Sequence, residues 1–336
     1  VESYFFRAND PRAARAVWLK ATVLVPRAGP PVAEAWCIVF DGVRGRTWAG
    51  KTTVPLSAAQ FAGDGPAIAI ADTRWALEPD RIRLEGELAA GQVRGAGVGE
   101  TAAGGGCRWS LQARALDDPH EPTALAEPLR IYPAQWMIDG GFPRAKLLTP
   151  RPALRWSGHL EVFGERIAID DWVGMQGHNW GAEHSWEYAW GQCPFLDAQG
   201  RVHTWVEGFT GRVRVGPLVT PRLSALVVRR AAREYRFDRV FRPWTQRATL
   251  VDLRWTLAVQ GAAGRARIEF SAAPERTVCL GYDNPARPRS YCLNSKLAQV
   301  RLEVWPADDE PFRCESAHGG ALEFLRNAPD PRFTVV

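Results

Sequence analysis

The chain has 336 residues, with 42 Lys and Arg against 37 Asp and Glu, a formal net charge of +5, 46% hydrophobic residues and 24% charged residues. This is a globular composition, long enough for two domains. Its 31 Gly and 25 Pro, 56 together, are a sixth of the chain, below the share of about 25–30% that marks low-complexity sequence. No stretch approaches the ~18 consecutive apolar residues of a membrane-spanning helix, so disordered and helical-membrane classes are excluded.

The basic residues are interspersed with acids. Arg229, Arg230, Arg233, Arg236, Arg239 and Arg242 form the densest group, but Glu234 and Asp238 interrupt it. It reads as the polar face of a hairpin, whereas a nucleic-acid binder concentrates its cations on one face or arm. No nucleic-acid partner is expected, and the mild positive balance is compatible with peripheral contact at an anionic membrane surface. Cys37, Cys107, Cys193, Cys279, Cys292 and Cys314 are scattered without a C-x-x-C pair, which argues against a zinc ribbon and for buried, reduced thiols. With no secretory signal visible, a cytoplasmic, at most membrane-associated location is expected. The numbering begins at Val1, so a removed leader is compatible with the same sequence.

In chain order, runs of period-2 alternation lie at 16–25, 35–40, 81–88, 108–114, 154–162, 204–209, 223–228, 250–259, 266–270 and 298–304. Each puts one face in a core and one in water, as antiparallel sheets require. At 81–88, for example, Ile82, Leu84 and Leu88 share a face. Only 57–62 and 322–327 read as short helices, so the fold class is all-β, a sandwich or barrel rather than a doubly wound sheet. Residues 117–152 are rich in proline and should interrupt a sheet. The boundary is therefore expected near 145–152, dividing an N-terminal β domain (1–150) from a C-terminal one (151–336).

Tryptophan is abundant, 15 against 6 Tyr and 2 Met. Trp fills cores, and a cluster of Trp also walls pockets and attracts cations. The densest cluster spans Asp170 to Gln192 and holds Trp172, His178, Asn179, Trp180, Glu183, His184, Trp186, Tyr188 and Trp190. Downstream, His203, Trp205 and Glu207 share one strand face, an unusual choice for a core and a natural one for a ligand-facing wall. Three readings follow. The histidines and Glu207 could satisfy loops and solvent while the tryptophans fill a core. They could hold a metal, although no H-E-x-x-H or comparable spacing is present, and no metal is expected. Or they could form an acid/base site walled by aromatics, in which an acid in an apolar pocket stays protonated near neutral pH.

The segments Gln176-Gly177-His178-Asn179-Trp180-Gly181 and Tyr188-Ala189-Trp190-Gly191-Gln192 resemble the AttH-like, hydroxyneurosporene synthase family, which includes carotenoid 1,2-hydratases. That family is related to lipocalin-like tocopherol cyclases and Diels–Alderases. Residues 2–9 and 294–298 look similar as well. The resemblance implies two lipocalin-like antiparallel β domains with an apolar pocket within or between them. It also implies an acid that protonates an isoprene double bond before water captures the cation. The family's motif histidine and tryptophan match His178 and Trp180. Its downstream tyrosine and aspartate map onto Trp205 and Glu207, a departure that puts carotenoid hydration itself in doubt.

The expected function is a cofactor-independent lyase, hydratase or cyclase acting on an apolar polyene, terpenoid or polyketide-like substrate. His178, Glu207, Trp180 and Trp205 are the expected catalytic residues, with Glu207 as proton donor and His178 as its partner. Asn179, Glu183, His184, Tyr188, Trp190 and His203 are the expected substrate-binding residues. A pericyclic cyclase working by pocket shape and a non-catalytic carrier of an apolar ligand are the alternatives. No dinucleotide fingerprint or nucleophile elbow supports an oxidoreductase or hydrolase.

Overall fold

The computed structural model describes residues 1–61, 67–96, 104–116, 127–215, 218–240 and 242–336. The first part of the chain forms β1 (Glu2–Asn9), β2 (Arg15–Leu24), β3 (Val32–Asp41), β4 (Arg46–Pro55), β5 (Ala59–Phe61), β6 (Ala67–Ile70), β7 (Thr73–Leu77), β8 (Ile82–Gly95), β9 (Gly105–Ala115), β10 (Ala145–Val162) and β11 (Glu165–Gly181). They pair in the order β4-β3-β2-β1-β11-β10-β9-β8-β7-β6-β5, and β4 also pairs with β8. That extra pairing, Trp48 opposite Gly95 through Gly50 opposite Val93, closes β4, β3, β2, β1, β11, β10, β9 and β8 into an antiparallel barrel, from which β7, β6 and β5 continue to an edge at β5.

The remaining strands are β12 (Glu187–Leu196), β13 (Val202–Arg212), β14 (Arg214–Val215), β15 (Leu218–Val219), β16 (Leu223–Arg230), β17 (Arg233–Phe237), β18 (Gln246–Val251), β19 (Arg254–Gly261), β20 (Gly264–Ser271), β21 (Val278–Tyr282), β22 (Ser290–Pro306) and β23 (Phe312–Arg326). A second antiparallel sheet runs β17-β16-β13-β12-β23-β22-β20-β19-β18, with β21 on β22. Across its open side the Gln246 amide accepts from the Ser224 N–H at 2.9 Å and donates to the Ser224 carbonyl at 2.6 Å. The all-β, two-sheet architecture expected from the alternation is the one observed.

Both interiors are filled. Trp75, Trp109, Trp156 and Trp172 pack with Ile82, Leu84 and Leu88 inside the first barrel, while Trp255, Phe270 and Leu257 do so inside the second sheet. The two interiors thus hold six of the fifteen tryptophans, Trp48 being the sixth.

Five expectations are corrected. The first sheet continues to Gly181, so the boundary placed at 145–152 falls inside β10, and the His178-Asn179-Trp180-Gly181 motif ends the first barrel rather than opening the second domain. The prolines misled because Pro150 and Pro152 sit in β10 where its register against β11 shifts between Leu148 and Arg151 and again before Leu154; a bulge tolerates a residue that cannot donate to the ladder. The run 250–259 is a hairpin turning at Asp252, whose φ is 53°. Third, 322–327 is strand. Leu322 and Phe324 face the second core, while Ala321 and Leu325 face the first barrel. Burial on both faces erases the alternation that would have marked it. The other helix candidate is reduced to a 3-10 turn at Leu56–Ala58, and Ala62 lies outside the described residues. Of the proline-rich stretch, 117–126 likewise lies outside them. The Arg229 guanidinium, expected on a polar hairpin face, is buried and bonds Glu234 and the carbonyls of Glu127 and Pro128. All six cysteines are free and buried.

The two barrels meet across a seam of Phe5, Trp18, Trp36, Trp190, Tyr282 and Leu325. Polar residues cross it: Arg7 donates to the Gly319 carbonyl at 2.7 Å and to Gln192, and Asn9 donates to the Lys296 carbonyl at 2.7 Å. Gly174 lets β11 approach β1 there. A Cβ at that position would lie 1.7 Å from the Arg7 carbonyl oxygen and 2.8 Å from the Trp156 indole nitrogen. Backbone cannot yield as a flexible side chain would, so Gly174→Ala is expected to cost about 3 kcal/mol or more. Chemical denaturation of the variant checks this, and an unchanged midpoint would show that β11 can shift freely.

Candidate active site

A cavity of about 130 Å³ opens in the seam. Phe5, Trp18 and Lys20 reach it from β1 and β2, Asn179 and Trp180 from the end of β11, and Tyr188 and Trp190 from β12. Phe209 of β13, Tyr282 of β21 and Glu323 of β23 complete the wall. The connection between β9 and β10 covers it with Ile131, Tyr132, Met137 and Phe142, and Leu147 joins them from the start of β10. A concave, mainly apolar space between domains with a few inward polar groups is where small molecules bind.

Of the expected binding residues, Asn179, Glu183, His184, Tyr188 and Trp190 line this cavity, as does Trp180. His203 does not. Its Nδ1 lies 2.8 Å from the Thr204 hydroxyl, further along β13. Trp205 is buried against Ala153, Val173 and Val202, away from the cavity. His178 stacks between Tyr4 (ring centres 4.4 Å apart) and Trp180 (4.6 Å), and its Nε2 is 2.9 Å from a Glu2 carboxylate oxygen. Strand parity explains this placement: Tyr4 lies opposite His178, and Phe5 opposite Gly177. His178 therefore shares the Tyr4 face, while Phe5 points into the seam. The expected pairing of His178 with Glu207 is not formed.

Glu207 is buried one layer behind the cavity wall. Its Oε1 accepts from the Trp190 indole N–H at 2.8 Å and its Oε2 from the Thr149 hydroxyl at 2.9 Å. Burial pushes its carboxyl up to about 7, against the downward pull of those two hydrogen bonds and of the Arg229 charge. A carboxyl that titrates near neutral pH beside a pocket is a candidate proton carrier. Trp190 and Tyr132, both on the wall, separate it from the cavity. The Tyr132 hydroxyl donates to the Ala145 carbonyl at 3.1 Å, and burial, with Glu207 as a lesser contributor, raises its phenol.

The seam end of the cavity carries a second set of ionisable groups, of which the sequence pointed to Tyr188 and His184 but not to Lys20, Lys296 or Glu323. Lys296 donates to Glu323 Oε1 at 2.5 Å, the Asn294 amide donates to the same oxygen at 3.0 Å, and Tyr188 donates to Oε2 at 3.4 Å. Burial, then the Cys292 and Glu323 charges, raises the Tyr188 phenol, so it stays a proton donor. The Lys20 ammonium rests 4.0 Å from the Tyr282 ring centre and 5.8 Å from that of Trp18. Burial draws it down to about 8, and Lys296 adds to this, while Glu323, Cys292 and Glu34 oppose it. His184 lies beside the Tyr282 ring at 5.4 Å. Burial first, then the Lys20 and Arg287 charges, hold it well below the usual histidine range, so its imidazole is neutral. The available signal was a lone charge inside an apolar strand, as in Trp18-Leu19-Lys20-Ala21 and Leu322-Glu323-Phe324.

Among the described residues no group of three His, Cys, Asp or Glu side chains could hold a metal ion. The arrangement can supply three things from the protein itself: a proton near neutral pH, a neutral imidazole that can orient water, and aromatic faces around an apolar substrate.

No family model matches the chain. It is 22% identical over 311 residues to an uncharacterized protein of Mycobacterium tuberculosis, found alike in two strains, spanning 90% of this chain and 81% of the relative. Among solved structures it is similar to one from Nitrosomonas europaea provisionally designated AttH, with TM-score 0.57 and 11% identity over 97% of this chain and 92% of the other. It is also similar to kievitone hydratase from Nectria haematococca, with TM-score 0.59 and 10% identity over 97% and 89%. At these identities the likeness is one of architecture, and the chain has the two-domain β fold of these two proteins.

Proposed function

We propose that the protein is a cofactor-independent hydratase-type lyase, adding water across a carbon–carbon double bond, or eliminating water to form one, in a largely apolar substrate held between the barrels. The observation that carries this reading is a carboxyl tuned to about 7, hydrogen-bonded to an indole of the cavity wall. The fold shared with a hydratase supports the same reading. Glu207 is the proton source; because the Trp190 indole donates to it and Tyr132 donates to the Ala145 carbonyl, the proton reaches the substrate when one of these wall side chains turns aside. Trp180, Trp18 and Trp190 offer ring faces to positive charge developing on carbon. His184, neutral and on the wall, orients the water and takes its proton as the new carbon–oxygen bond forms. The proton given by Glu207 ends on the neighbouring carbon, the one taken by His184 returns through solvent, and the net change is one water. Trp205, His178 and His203, which lie off the cavity, support the surrounding strands.

Incubation with the low-polarity extract of the native host in heavy-oxygen water tests this reading. A product that carries the label, formed by the wild type and reduced about 100-fold or more in His184→Gln, is expected. Binding of an extract component that returns unlabelled and unchanged would leave a carrier instead.

A further inference from the structure

The cavity's charges do not balance. Glu323 is engaged by Lys296, Asn294 and Tyr188, and the nearby Glu34 by Lys51 at 2.8 Å and the Trp36 indole at 3.1 Å. The wall itself carries three ammonium groups, those of Lys20, Lys146 and Val1. Lys146 donates to the Met137 and Gly140 carbonyls and Val1 to the Gly181 carbonyl, so among the described residues Lys20 is the one left over. It is 3% exposed, lines the cavity and rests on ring faces, with no hydrogen bond or ion pair among the described residues. A buried ammonium without a carboxylate partner is costly unless something supplies the missing charge. Beside this end lies a small annex that shares Pro143, Ala145, His184 and Val213 with the main cavity and is flanked by Arg144, Arg214 and Arg287. Glu183 lies 3.5 Å from Arg144. Arg287 donates to the carbonyls of His184 and Ser185, and Arg214 lies 4.8 Å above the Trp186 ring. The approach is therefore cationic as well.

We propose that the cavity takes an apolar molecule bearing one ionised carboxylate, which docks on the Lys20 ammonium and rests its apolar body against Trp18, Trp180 and Trp190. A single ammonium without a hydrogen bond, set on aromatic faces, suits a carboxylate better than a phosphate dianion, and a phenol would remain neutral at pH 7. The proposal names the substrate class for the hydratase reading and rests on it in that the cavity must be the binding site.

Calorimetric titration with 1-naphthaleneacetate and with its neutral amide, which has nearly the same shape, separates the two ideas. The wild type is expected to bind the acid at least about tenfold more tightly than the amide. Lys20→Met is expected to lose that preference while holding the amide as the wild type does, which also shows that the variant is folded. Equal affinity for acid and amide in the wild type, or a preference that survives in Lys20→Met, overturns the carboxylate proposal and leaves the cavity as an apolar site. Failure of both probes to bind the wild type overturns the cavity reading itself.

Discussion

Glu207→Gln is expected to make the protein more stable and less active at once. In the folded chain the carboxyl holds its proton to about 7, against an ordinary value of 4.5. Between those values the native state binds a proton that the unfolded state has released, so stability falls as pH rises through that window and stays low above 7. The span corresponds to about 3 kcal/mol. Glutamine keeps both contacts: its carbonyl accepts from Trp190, and its amide donates to the Thr149 hydroxyl. The variant should therefore match the wild type near pH 4.5 and exceed it by about 3 kcal/mol at pH 8, read from urea unfolding at the two pH values. Activity needs the protonated carboxyl, so wild-type turnover should decline above pH 7, and the variant should lose about 10²–10⁴-fold. A variant no more stable at pH 8 than the wild type would show that Glu207 ionises as an ordinary surface acid. One with normal turnover would remove it from the chemistry.

The second large effect is expected at the seam. Lys296 and Glu323 form an ion pair at 2.5 Å, with side chains 1% and 10% exposed. Lys296→Met strands the Glu323 carboxylate in a medium that solvates it poorly, at an expected cost of about 3–5 kcal/mol. Replacing both, as Lys296→Met with Glu323→Leu, should recover most of that loss, because the desolvation penalty disappears with the charges. Lys20→Met should behave in the opposite sense, holding or gaining stability, since Lys20 has no partner to strand. Urea midpoints for the three variants check the ranking. A single Lys296→Met as stable as the wild type would mean that Lys20 serves Glu323 instead.

The strands with one wet face were legible in the sequence. Ile82, Leu84 and Leu88 point inward at the spacing that marks them, and Trp255, Leu257 and Val259 do the same. Strands buried on both faces were read unevenly: 16–25 and 35–40 were found, but the end of β23, buried on both faces from Gly320 to Leu325, was taken for a helix because no polar face breaks its apolar run. The same double burial hid Lys20, Lys296 and Glu323, whose meaning depends on which barrel lies opposite. Segments 2–9 and 294–298, noticed only as family-like strings, turn out to meet across the seam through Asn9 and Lys296. The site was legible where it is local in sequence, as with Trp180, His184, Tyr188 and Trp190. It was not where strand parity decides. His178 and Asn179 are neighbours, yet Asn179 lines the cavity while His178 stacks on Tyr4 and Trp180 beside Glu2.

The most direct test of the account is mass spectrometry of the low-polarity molecules that copurify with the protein from its native host, comparing wild type with Glu207→Gln. The account predicts that the variant retains a compound differing by one water from the compound held or released by the wild type, because it binds substrate in an intact cavity and cannot complete the proton transfer. Recovery of one identical compound from both proteins would contradict it and make the space between the barrels a binding site without chemistry.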